Sequence, residues 1–157
     1  MICKARYTVP KSLILVRAGN YDRSNALLDE SLRIFHRLGD AFGEAWTIAH
    51  QGMTAFMVAD FPAALRLVAA SEAVAETISD EASTLTSLRF LQHLLRGCIA
   101  LMQGNPATCR AMCEPLLAEQ RRAGVRRSSY LLVFLGQAAT ADGSLRGRLR
   151  GWRGAAA

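Results

Sequence analysis

The chain has 157 residues, 51% hydrophobic and 20% charged, with a formal net charge of +6. That length is enough to bury a real core, and the balance of charge and apolar content excludes a disordered polyelectrolyte. No apolar stretch approaches the roughly 20 residues of a membrane-crossing helix, and the short run Leu13–Val16 ahead of Arg17 is no secretory signal, which predicts a cytoplasmic protein with its four cysteines reduced.

Alanine and leucine dominate and only 7% of residues are aromatic, a composition that favours helix over strand. Pro10 predicts the first turn of a helix running to Gly19. Asn20 or Asp22 then caps a second helix with the stripe Leu27, Leu28, Leu32, Phe35 and Leu38, which Gly39 ends. Asp40 caps a third, containing Trp46, Ile48, Ala49, Gly52, Met53 and Phe56. After a corner at Ala59-Asp60, the fourth presents Phe61, Ala64, Leu65 and Val68, with Ile78 beyond. Ser79 or Asp80 caps a long fifth helix that reaches Gly104. Pro106 opens a sixth at a permitted early position, Pro115 is expected to kink or interrupt it, and Gly124 ends it. The run Leu131–Leu135 in the seventh segment fits a buried strand or a helix, and repeat register favours helix.

That register is the strongest pattern in the chain. Small residues at Ser12, Gly52, Gly97 and Gly136 lead four segments at intervals of 40, 45 and 39. From each, the same offsets give a corner: Gly19-Asn20, Ala59-Asp60, Gly104-Asn105 and Gly143-Ser144. They then give close-packing sites at Ser24 and Ser31, Ala64 and Ser71, and Cys109 and Leu116. Two helices approach closely only where one presents a small side chain, so recurrent small residues mark nested helical hairpins. In the fourth segment the offset falls on Arg148, where the pattern fails.

These residues resemble the tetratricopeptide repeat in the degenerate form carried by large bacterial regulators. The segment LDESLRIFHRLGDAFGEAWTIAHQGMTAFMVADFPAA is similar to the arrays of MalT-like and LuxR-type activators with an ATPase domain, and of AfsR-type regulators. The resemblance covers roughly residues 5 to 142. It implies an all-α, right-handed α–α superhelix, a TPR-like solenoid of about three helical hairpins plus one further helix, spanning 1–142. It further implies a non-catalytic scaffold for a protein or peptide partner, or for other domains of a larger transcriptional regulator. The helix-turn-helix and ATPase segments of that family are absent from these residues, so neither activity is assigned. An array that starts mid-unit and loses its pattern at the end reads as a fragment or truncated frame, with uncapped ends open to self-association.

Chemistry has no visible carrier. There is no nucleophile elbow and no phosphate-binding loop. Cys109 and Cys113 lie four apart on one helix, and His93 and Cys98 precede them, but paired CxxC knuckles are missing, so the cysteines read as small packing residues. His36 and His50 read as structural or surface histidines. Residues 81–157 carry 11 basic and 4 acidic side chains against 8 and 9 before them. Arg121, Arg122, Arg126 and Arg127 read as solvated helix ends. Residues 143–157, with Arg146, Arg148, Arg150, Trp152 and Arg153, read as a disordered Arg/Gly/Ala tail. A metal site or small enzyme centre at the cysteines, or nucleic-acid binding through the arginines, are the rival readings; the arginine patch predicts steep salt dependence. No cofactor is expected.

In tetratricopeptide-like arrays the first helix of each pair lines a concave surface. The resemblance therefore implies a partner groove of Trp46, Ala49, Met53, Phe56 and Met57, continued by Leu91, Leu94, Cys98, Leu101 and Met102, and then by Tyr130, Val133 and Gln137. Methionine-rich apolar grooves suit amphipathic helices and extended peptides. The rival account of the same residues is interhelical core.

Overall fold

A computed structural model describes residues 2–78, 82–122, 129–141 and 143, with backbone alone at 2–8, 10, 82–84, 129 and 130. Every described element is a helix: α1 Ile2–Arg17, α2 Tyr21–Leu38, α3 Ala41–Met57, α4 Phe61–Ala75, α5 Ala82–Met102, α6 Pro106–Arg122 and α7 Ser129–Ala141. The all-α expectation holds, and the ambiguous run in the seventh segment is helical. The described contacts fall into two compact units, residues 1–95 and 96–157, divided within α5. The expected tail at 143–157 apart from Gly143, the cap at Ser79 or Asp80, Gly124, and Arg126 and Arg127 lie outside the described residues.

The corners form as local chemistry dictates. Gly19, Gly39, Gly104 and Gly143 take positive φ, as does Ala59 at +62°, the only non-glycine to do so among the described residues. At the second corner the Gly39 amide donates to the His36 carbonyl and Asp40 to that of Phe35, each at 3.1 Å. Amides 19–20, 59–60 and 104–105 repeat that pair of bonds, so α1, α2, α3 and α5 each end in a Schellman turn that satisfies their last carbonyls. The next residue then caps the following helix. Asn20 Oδ1 accepts from the Arg23 amide, Asp40 from Gly43, Asp60 from Ala63 and Asn105 from Thr108.

Two prolines lie inside helices, so Pro10 does not mark the first turn of α1 and Pro115 does not interrupt α6. Helix α1 starts at Ile2 and passes through Pro10, and α6 continues through Pro115. Proline's φ is itself helical, and its cost is one lost ladder bond and a clash with the preceding turn. Pro115 is exposed, where water can serve the carbonyl left without its partner.

The small-residue register packs as expected in three successive pairs of helices. Ser12, Ser24 and Ser31 are fully buried, and the Ser24 hydroxyl donates to the Ser12 carbonyl at 3.2 Å across α1 and α2. Gly52 and Ala64 meet in the same way: a Cβ built at Gly52 would lie 3.5 Å from the Ala64 carbonyl and 3.4 Å from Leu67 Cβ. At Gly97 such a Cβ would lie 3.6 Å from the Cys109 carbonyl and 2.7 Å from Cys113 Sγ. Gly136 departs from the series, since it is exposed and no described atom lies within 4 Å of an added Cβ.

Candidate interaction site

In the first unit, α3 is packed on both flanks, by α2 and by α4. Ala45 and Ala49 are fully buried with Val68 of α4 and with Leu85, Leu88, Leu91 and Leu95 of α5. Alanines at 45 and 49 let these helices approach closely enough for the leucines to fill the space between them. A buried polar chain pins the same layer: the Ser71 hydroxyl donates to the Ala45 carbonyl at 2.7 Å, and Gln92 Nε2 donates to Ser71 Oγ at 2.8 Å. Neither residue stood out by its type alone; Gln92 lies among apolar neighbours in sequence, and register was the signal that marked Ser71.

The residues assigned to a groove divide sharply. Ala49, Leu91 and Cys98 are buried. Trp46, Met53 and Phe56 are half-buried, packed against the core cluster with one side outward. Leu94 and Leu101 are also half-buried. Met57 is 47% exposed, and Met102, at the same repeat position 45 residues on, is 60% exposed. Tyr130's side chain lies outside the described set. Val58, half exposed beside Met57, was missed.

An aromatic ladder occupies α3. Phe42 stacks on Trp46 at 5.9 Å, and Trp46 tilts over His50 at 4.8 Å between ring centroids. His50 is buried, and its Nδ1–H donates to the Trp46 carbonyl at 2.8 Å. Burial pushes its pKa below the usual 6.5, with that hydrogen bond working weakly the other way. It is structural, held neutral under an indole. His36 is exposed, and its Nδ1 meets Glu44 Oε1 at 2.6 Å. This pair sits in an open groove floored by Leu32 and Ile48 and edged by Arg33 and Arg37.

In the second unit, Cys98, Cys109 and Cys113 are buried free thiols. Cys109 and Cys113 share a hydrogen bond, and desolvation followed by thiol–thiol repulsion pushes Cys113 up to about 12. Burial raises Cys98 further still. These are protonated, unreactive packing groups at neutral pH. Among the described residues no group of three or more His, Cys, Asp or Glu is placed to hold a metal ion. No helix there is long and apolar enough to cross a membrane. Comparison with protein-family models, with curated proteins and with solved structures finds no match to this chain.

Proposed function

We propose that the chain is a tetratricopeptide-like interaction scaffold, a right-handed α–α superhelix that holds a protein or peptide segment. In this reading it is the sensor or interaction part of a bacterial transcriptional regulator and performs no catalysis itself. The observation that carries the reading is the repeat itself. One set of offsets yields a Schellman corner, a side-chain cap and buried close-packing sites in three successive pairs of helices. A chain that repeats a packing unit builds surface by addition, and such surfaces bind extended partners. The outward sides of Trp46, Met53 and Phe56, with exposed Met57, supply the apolar anchors in the first unit.

The test is selection of a random peptide library on the immobilised chain, followed by amide chemical-shift mapping of an enriched peptide. The expected result is apolar peptides that perturb α3 around residues 46–57 and bind at least about tenfold more weakly to the Met57→Asp variant. Absence of enrichment, or perturbation confined to the α2 face around Arg33 and Arg37, would remove the groove from this reading.

A further inference from the structure

We infer that this chain stacks head to tail on a second copy of itself, the outer face of α1 in one copy against that of α7 in the next. The inference rests on the repeat reading above and extends it to the ends of the array. Two faces of the leading helix in each hairpin can be followed by register from Ser12, Gly52, Gly97 and Gly136.

One face looks back to the preceding hairpin. Nine residues before the leading position, Gly43 of α3 lies against the Phe35 ring of α2, and five before it, Gln92 of α5 bonds Ser71 of α4. Helical geometry places the residue two past the leading position on this same face. There Thr54 is 1% exposed, Ile99 1% and Ala138 0%, whereas Ile14 of α1 is 67% exposed.

The other face looks forward. Three residues before the leading position, Val9 is 3% exposed, and Ala49 is 0% exposed within the cluster that contains Leu85 and Leu88 of α5. Leu94 is half-buried, and Val133 of α7 is 55% exposed beside Leu132 at 50%. Gly136, the close-approach position of α7, is open as well. An apolar side chain thus stands uncovered at a backward-looking position on α1 and at a forward-looking position on α7. Within the first unit, α1 meets α3, and Ala49 on the forward face of α3 shares a core cluster with Leu88 on the backward face of α5, nine before its leading position. A second copy supplies that same pairing at both ends. Such a contact is heterologous and leaves one face free at each end, so further copies add as concentration rises.

The experiment is sedimentation velocity of the full chain over a wide concentration range, for wild type, Ile14→Glu, Val133→Glu and an equimolar mixture of the two variants. Both sites are exposed, so circular dichroism is expected to be unchanged. Wild type is expected to form species that lengthen with concentration. Each variant alone needs about tenfold or more higher concentration to associate, since a carboxylate is costly to bury. The mixture forms a dimer that stops growing, because Ile14→Glu retains its α7 face and Val133→Glu its α1 face. A monomeric wild type, a variant that assembles like wild type, or a mixture that stays monomeric would each overturn the inference. A monomer that still binds the selected peptide at α3 would sink the stacking alone; loss of that peptide site would sink the scaffold reading instead.

Discussion

A methyl group added at two helical glycines meets two different surroundings. At Gly43 it would lie 2.2 Å from the Phe35 ring, which is buried and cannot swing aside. Gly43→Ala is expected to lose about 1–3 kcal/mol by overpacking, with Phe35→Leu recovering part of that in the double variant. At Gly52 the nearest atoms are at 3.4 and 3.5 Å, ordinary contact distances. Gly52→Ala therefore gains helix propensity without strain, about 0.5–1 kcal/mol in a denaturant midpoint series. Ala59 presents the reverse case. Its φ of +62° is one that a Cβ disfavours, so Ala59→Gly is expected to stabilise by about 0.5–1 kcal/mol despite glycine's larger unfolded-state entropy. A loss of stability at Ala59→Gly would show that the corner is not held in the left-handed region.

At the scale of elements, the corners and the buried polar chain do different work. The caps at Asp40 and Asp60 satisfy amides that the helices cannot satisfy themselves. Asp40→Ala and Asp60→Ala are each expected to cost about 1 kcal/mol in thermal or denaturant unfolding. The Ser71 hydroxyl links α3, α4 and α5 through the Ala45 carbonyl and Gln92. Ser71→Ala is expected to cost about 1–3 kcal/mol, because Gln92 Nε2 loses an acceptor in a site where Gln92 is 2% exposed. Adding Gln92→Leu removes the stranded donor, so the double variant should be more stable than Ser71→Ala alone. These corners were readable in advance, since glycine, asparagine and aspartate act over three or four residues of chain. Gln92 was not, because a glutamine in a helix is ordinarily solvated and only the register of α5 against α4 buries it.

For the molecule as a whole, protons and thiols report stability. His50 is neutral when folded, with a pKa below the 6.5 of the unfolded chain. Above that pH both states are neutral at this position and it contributes no pH dependence. Below it the unfolded chain binds a proton that the folded chain refuses, so this contribution to stability falls as pH falls. Thermal melts between pH 7.5 and 5 are expected to show that decline, and His50→Gln to reduce it relative to wild type. Cys98, Cys109 and Cys113 are expected to resist an aromatic disulfide reagent at neutral pH until denaturant opens the second unit, with labelling counted by mass spectrometry. Rapid labelling of any of the three in the native protein would mean that the α5–α6 layer opens freely.

By itself the sequence determined the helical class, the corners and caps, and the positions where helices meet closely in three of the four segments. Each depends on a local preference: glycine's backbone, an Asx side chain reaching three residues ahead, or the absence of bulk at a crossing. It also marked the cysteines as packing groups. Only the tertiary structure decided which apolar residues face inward. A helix held between two others is apolar on more than one side, so periodicity does not separate core from surface. Ala49, Leu91 and Cys98 therefore belong to the interior, while Met57 projects from the end of α3. The same limit hid the burial of His50. It hid the exposure of Ile14 too, since an apolar residue is covered or bare according to whether a neighbouring hairpin lies against its face.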